Sequence, residues 1–426
     1  MPTGKVIEPP YLTAHQNSLT PRVRRGLSVP HVPWEQPYEN AERAVPSAPP
    51  PVLSPRGGSF VKRLVLDTHA ASCYFRTSVA GEGRKALVQI TERCNLHCAH
   101  CFVSSGDWGQ HMRLDDLVQT VFPRLQRARV QRLTLTGGEP FAHPHIMDIC
   151  RAVADLGLPL GICTNATQTT TEQITTLADL GNVHVNVSFD GFRRESHGKF
   201  RGNLASFDTT LATARAFAEA GLLQGLLSTP NALTDAEEFA ALCVFAVEVG
   251  AEYVLMNPLS AFGRGVKSQG RLAAGTTTMR AIYDLTERYR AQGIDVVHIR
   301  FPNDDGKPLS GCDAGRLIYV FADGATAVCP YLVFAARTPH SQYPDSDFLV
   351  GNILHEEVAP ALDDYDLAGK LRMGTNPTCP SCSLNDSCGK GCPAAVISQR
   401  QRIGEVDTEQ CPITEQPLLQ ITPRRS

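Results

Sequence analysis

Ten of the fourteen cysteines fall in two runs whose spacing suits metal ligation. The first is Cys94-Asn-Leu-His-Cys98-Ala-His-Cys101. The second begins at Cys312, passes Gly324, which four residues separate from Cys329, and continues as Cys379, Cys382, Cys388, Cys392 and Cys411. Three thiolates can hold three irons of a cubane cluster and leave the fourth iron open for another ligand, as an enzyme needs if that iron must bind something else. His97 and His100 keep a second possibility open, a Cys₃His zinc shell, and Cys379-x2-Cys382 is also a zinc-like pair. A disulfide framework needs an oxidising compartment, whereas the first thirty residues hold no apolar core of a signal peptide. The expected location is the cytoplasm.

Four cysteines stand outside these runs. Cys150 and Cys243 fall in apolar helical patterns and are expected to pack. Cys163 lies two residues before Asn165 on an expected strand, so both side chains share one face. If that face is the interior, the Cys163 thiol is a candidate to return a hydrogen atom to a substrate radical. Cys73 is a weaker candidate for the same task.

Those groups need a scaffold, and the chain has room for one. With 426 residues, 42% hydrophobic and 19% charged, composition is ordinary for a globular protein with space for two domains. A formal charge of −3 provides no basic field for nucleic acid, and no stretch of about eighteen apolar residues suggests a membrane span. Residues 1–57 carry the Pro49-Pro50-Pro51 run, with twelve prolines in the first 56 residues, and are expected to be disordered. A β-hairpin lead-in is expected over 58–85, from arms at 61–67 and 72–76. From 86 to 305, strand patterns at 87–91, 132–136, 159–164, 183–189, 222–228, 253–257 and 296–300 alternate with helical spacing at 114–127, 146–156, 206–220, 236–249 and 276–292. This is the pattern of an α/β protein with parallel strands, a partial (β/α)6 TIM-like barrel. Chemistry then belongs at the carboxyl ends of the strands, where the first cysteine run lies. Residues 306–414 form a loop-rich, cysteine-bearing extension and 415–426 a tail.

Cys94, Cys98 and Cys101, with Gly137-Gly138-Glu139-Pro140 at the end of the next strand, resemble the radical S-adenosylmethionine enzymes over about residues 86 to 300. Thr164-Asn165-Ala166 departs from that family's Thr-Asn-Gly at its last position. Val187-Ser188-Phe189-Asp190-Gly191, with His197 and Arg201-Gly202 beyond it, is similar to the family's Ser-x-Asp-Gly and Arg-Gly elements. The resemblance implies a [4Fe–4S] cluster on the three cysteines and S-adenosylmethionine bound by Gly137, Gly138, Glu139, Asn165, Ser188 and Arg201. It also implies one-electron cleavage to methionine and a 5′-deoxyadenosyl radical that takes hydrogen from the substrate, with an electron donor such as flavodoxin or ferredoxin.

The second run resembles the SPASM extension of that family, over about 310 to 414. The resemblance implies two auxiliary iron–sulfur clusters, of [4Fe–4S] type, one on Cys379, Cys382, Cys388 and Cys411 and the other on Cys312, Cys329 and Cys392. Residues 300–311 contain no further cysteine, so a non-cysteine group or an open iron is expected at the second cluster. Sulfatase maturases of this family carry aspartate directly after the Gly-x4-Cys element, where this chain has Pro330. Cys312-Asp313-Ala314-Gly315, Cys329-Pro330, and Asn257-Pro258 leading to Gly263-Arg264-Gly265 look closer to the peptide-modifying branch that includes the mycofactocin maturase. A precursor peptide is therefore the expected substrate. Such maturases often carry a fused leader-binding domain ahead of the barrel, and too little ordered sequence is expected before residue 86 for one, so either a separate leader-peptide-binding protein is expected or the substrate is not a peptide. The alternatives are a radical epimerase or dehydrogenase acting on a sugar or aminocyclitol in antibiotic biosynthesis, and a non-enzymatic zinc-binding barrel.

Overall fold

In the computed structural model, the described residues are 68–413, apart from 75–78 and 80. The expected disordered segment 1–57, the first hairpin arm, the end of the second and the tail lie outside them. Of the second arm, Ser72, Cys73 and Tyr74 are described, and they run as irregular chain.

Among the described residues ten strands form one sheet. Seven of them, β1 (Arg84–Thr91), β2 (Val130–Gly137), β3 (Leu160–Thr164), β4 (Val183–Ser188), β5 (Leu223–Ser228), β6 (Tyr253–Met256) and β7 (Asp295–His298), pair in sequence order and in parallel. Their residues are mostly buried on both faces, as expected where helices cover the outside and a lined interior occupies the inside. Six strand–helix units followed by a seventh strand make the partial barrel. Beyond residue 305 the chain returns to the same sheet. The strand β8 (Leu317–Val320) lies parallel to β1 on the side away from β2. It is followed by antiparallel β9 (Ala325–Ala327) and β10 (Leu349–Asn352).

The helices form where apolar residues recur on one face. Ile146, Ile149, Cys150 and Val153 are the buried stripe of Ile146–Asp155, and Phe239, Leu242, Cys243 and Ala246 belong to that of Ala236–Glu248. Both cysteines are thus packing groups. The expected 114–127 helix contains a π-helical stretch, Leu117–Val121, ahead of Pro123. Between residues 86 and 305, three α-helices were not expected from the sequence. Thr171–Leu180 buries only Ile174 and Leu177 and is started by a capping box between Thr170 and Gln173. Arg194–Arg201 and Gly265–Leu272 are polar, and each buries surface against the first cysteine loop.

Candidate active site

The chain leaves β1 at Thr91 and crosses the carboxyl ends of the strands as the loop bearing Cys94, Cys98 and Cys101. Several elements clamp that loop. Gly137 has φ +144°, and a Cβ on it would lie 2.3 Å from the Thr91 carbonyl; one on Gly138 would lie 2.1 Å from the Arg93 carbonyl. This closeness lets Gly138 N–H donate to Thr91 O and Glu139 N–H to Arg93 O, both at 2.8 Å. The glycine pair was expected to admit a ligand; its bare backbone first admits the cysteine loop. From the other side, His97 N–H and Ala99 N–H donate to the carbonyls of Arg201 and Phe200. Arg264 Nε donates to Cys98 O at 2.7 Å and another guanidinium nitrogen to Ser105 O, while Ser268 Oγ donates to Ala99 O.

The loop encloses a cavity of about 360 Å³. Cys94, Cys98, Cys101, Gly137, Gly138, Cys163, Asn165, Ser188, Asp190 and Arg201 all line it, which brings together the groups expected around the first cysteine run. Glu139 is the exception. Its carboxylate sits behind the wall and accepts from Thr164 Oγ1 at 2.6 Å, Asn165 N–H at 2.8 Å and Phe141 N–H at 3.1 Å. Burial raises its pKa against those donors. The side chain expected to touch cofactor instead ties the end of β2 to the end of β3. Asn165 in turn bonds Asn95 Oδ1 at 3.0 Å, holding the cysteine loop from the third strand. Ala166 adopts φ +60°, the left-handed conformation that the more usual glycine accepts without strain.

Arg201 is paired with the buried Asp190 at 2.8 Å. Burial works to raise the Asp190 carboxyl, but Arg201, then His100 and His197, take it below its ordinary value. His100 stacks on Phe200 with centroids 4.9 Å apart. Burial pushes the Cys94 and Cys98 thiols up to about 11 and about 12, while Arg201 opposes the rise at both. Bound iron deprotonates such thiols outright. Buried Ser228 Oγ and Asn257 Oδ1 have no hydrogen-bond partner among the described residues, and both side chains line the cavity. A polar occupant would satisfy them.

The cavity floor was not foreseen. Tyr253 Oη hydrogen-bonds Asn186 Oδ1, and its ring lies where a Cβ on Gly225 would come within 2.4 Å. Lys85 lines the same cavity, and burial and the Arg132 charge lower its ammonium to about 8. The signal was present as a lysine on a strand otherwise buried on both faces. The mouth is aromatic: Tyr74, Phe102, Tyr331 and Phe334, with Tyr74 stacked on Tyr331 at 4.9 Å and 12°. Tyr331 and Phe334 belong to the helix Pro330–Ala336, which begins immediately after Cys329.

The second array is prepared for thiolates in the same local manner as the first. Backbone N–H groups point at sulfur from Leu96 to Cys94 at 3.4 Å, Ser105 to Cys101 at 3.3 Å, Ala314 to Cys312 at 3.4 Å, Leu384 to Cys382 at 3.3 Å and Lys390 to Cys388 at 3.3 Å. Cys329 receives N–H groups from Leu332 and Tyr331, and Cys379 the side-chain amide of Asn376 at 3.4 Å. Donors aimed at sulfur favour the anionic thiolate and tune bound clusters. Among the described residues no such N–H reaches Cys150, Cys163 or Cys243. A Cβ on Gly389 would lie 2.2 Å from Gly311 N, and this contact joins the segments that carry Cys312 and Cys388 to Cys392. Cys312 lies within electrostatic reach of both Cys329 and Cys392. Cys73, read as a remote hydrogen donor, sits beside Cys392.

Residues 88–242 match the Radical SAM superfamily. The chain carries a radical SAM domain. Mycofactocin maturase MftC of Mycobacterium tuberculosis is 27% identical over 318 residues, 72% of this chain and 77% of that protein. The antilisterial bacteriocin subtilosin biosynthesis protein AlbA of Bacillus subtilis is 26% identical over 306 residues, 71% of this chain and 64% of that protein. Streptococcus suis SuiB, solved bound to its precursor peptide SuiA, superposes with a TM-score of 0.62 at 16% identity, covering 77% of this chain and 76% of that one. At that identity the likeness shows a shared fold. A radical SAM domain implies a [4Fe–4S] cluster and S-adenosylmethionine. The sulfur-directed donors and the unpaired polar atoms of the cavity fit both. Among the described residues no helix is long and apolar enough to cross a membrane.

Proposed function

We propose that this protein is a SPASM-type radical SAM maturase that modifies a ribosomally made peptide. One observation carries the reading: a single cavity is lined both by Cys94, Cys98 and Cys101 and by the helix that begins immediately after Cys329. The peptide as substrate is supported by the relatives, maturation proteins of mycofactocin and subtilosin, and by SuiB, which was solved with its precursor peptide.

When bound, the cluster and S-adenosylmethionine supply a 5′-deoxyadenosyl radical that abstracts hydrogen. The protein's part is positional. Cys94, Cys98 and Cys101 hold three irons, and Gly137, Gly138, Asn165, Ser188 and Arg201 line the cofactor's side of the cavity. Glu139 keeps the glycine turn and Asn165 in register. Phe102, Tyr74, Tyr331 and Phe334 exclude water, which protects a reactive carbon from quenching. The Cys163 thiol, which lines the cavity from β3, returns a hydrogen atom to the substrate in this reading. Cys379, Cys382, Cys388 and Cys411 hold one auxiliary cluster, and Cys312, Cys329 and Cys392 hold a second. A flavodoxin or ferredoxin supplies the electron, and a separate protein presents the leader peptide. The setting is the cytoplasm, where thiols stay reduced.

Anaerobic reconstitution is expected to load about twelve irons, three four-iron clusters, per chain. Addition of reductant and S-adenosylmethionine then yields 5′-deoxyadenosine, and Cys98→Ala abolishes it. Tightly held zinc without cleavage overturns the enzyme reading. A mass change in a sugar or aminocyclitol, with none in any precursor peptide encoded beside the gene, overturns the peptide.

A further inference from the structure

The set Cys312, Cys329 and Cys392 lacks a fourth cysteine in its own stretch of chain. The structure brings one from more than two hundred residues away. Cys73 is 3% exposed, and its Sγ lies 3.3 Å from the carbonyl of Gly311 and 3.6 Å from that of Gly391. Those glycines immediately precede Cys312 and Cys392. The Cys73 thiol also hydrogen-bonds the Cys392 sulfur, which receives the Tyr74 backbone N–H as well.

The position is built in. Ala70 N–H donates to Pro308 O at 2.9 Å, Ser310 N–H to Ala70 O at 3.1 Å, and the hydroxyls of Ser72 and Ser310 meet at 2.9 Å. His69 Nε2 bonds Ser387 O at 2.8 Å. Arg300 locks the strap from beneath, donating its backbone N–H to Ala71 O and its guanidinium to Ser72 O and, at 2.6 Å, to the buried Asp407. A thiol held against one candidate ligand and against the residue that precedes another suits a metal site better than ordinary packing.

We propose that Cys73 is the fourth ligand of the auxiliary cluster on Cys312, Cys329 and Cys392. This rests on the SPASM reading above. On ligation the Cys73 thiol releases its proton to solvent, and its sulfur gives an electron pair to the fourth iron in place of water or hydroxide; no electron is transferred. The cluster is then closed, serving electron transfer or the fold, and substrate has no free iron to bind there.

The experiment uses the full chain, reconstituted anaerobically, with iron and sulfide analysis, Mössbauer and electron paramagnetic resonance spectroscopy. Reconstitution to only about four irons in the wild type is failure of the auxiliary-cluster reading itself. With about twelve irons in the wild type, Cys73→Ala and Cys73→Ser are expected to lose up to four irons or to give a three-iron signal on mild oxidation. An auxiliary spectrum identical to wild type in both variants overturns the proposal alone. Cyanide added to the wild type provides a measurement that needs no variant. No perturbation of the auxiliary signals is expected, and binding to an auxiliary iron overturns the proposal.

Discussion

The two cysteine arrays are assembled in opposite ways. The first places three thiols within eight residues of one loop, and the fold's task is to clamp that loop with Gly137, Gly138, Arg201 and Arg264. The second spreads its cysteines from Cys312 to Cys411, and the fold must gather them through the Gly311–Gly389 contact and the Arg300–Asp407 pair. A local array depends on what presses on it. A dispersed one depends on what joins its parts.

This contrast can be broken by separating the iron populations proposed for the two arrays. The largest effect is expected at Arg300, whose removal leaves Asp407 buried without its cation. Arg300→Met should cost about 3–5 kcal/mol in chemical denaturation. It should also release the Cys73 strap, so that auxiliary iron falls while the iron of the first loop is retained. Gly138→Ala is the converse change. Its methyl would press on the Arg93 carbonyl, backbone that has little room to yield, at a cost of about 1–3 kcal/mol. It should deplete the Cys94–Cys101 cluster and 5′-deoxyadenosine formation before the auxiliary signals. If both variants drain both populations equally, the arrays are one cooperative unit and the contrast fails. The smallest effect sharpens the picture. Ala166→Gly relieves a left-handed alanine but adds chain entropy, and a gain of about 0.5 kcal/mol, seen as a modest rise in Tm, is expected with iron content unchanged.

The same contrast explains what the sequence revealed. Strands β1 to β7 were legible as short apolar-rich runs between helical patterns, and the first array because its cysteines are close in sequence. The Thr171–Leu180 and Arg194–Arg201 helices escaped because a capping box and a loop contact, not an apolar stripe, hold them in place. Glu139 was legible as a site residue, but whether its carboxylate faces ligand or neighbouring backbone depends on where β3 ends. Lys85 and Tyr253 reach one cavity only through strand register, and Cys73 meets Cys392 only through the strap across Pro308 to Ser310. No local spacing encodes either encounter.

The pairing of β1 with β8 has a consequence for how the protein is made. Lys85 to Val88 find their partners in Leu317 to Val320, so the ribosome must deliver residues 92–316 before the inner flank of the first strand is covered. Until then the nascent chain carries an open apolar edge, the kind of surface that recruits other chains or chaperones. Closure by so distant a partner is intrinsically slow. A polypeptide cut short before residue 317 would keep all three cysteines of the first loop and still lack the strand that completes the sheet on which they stand.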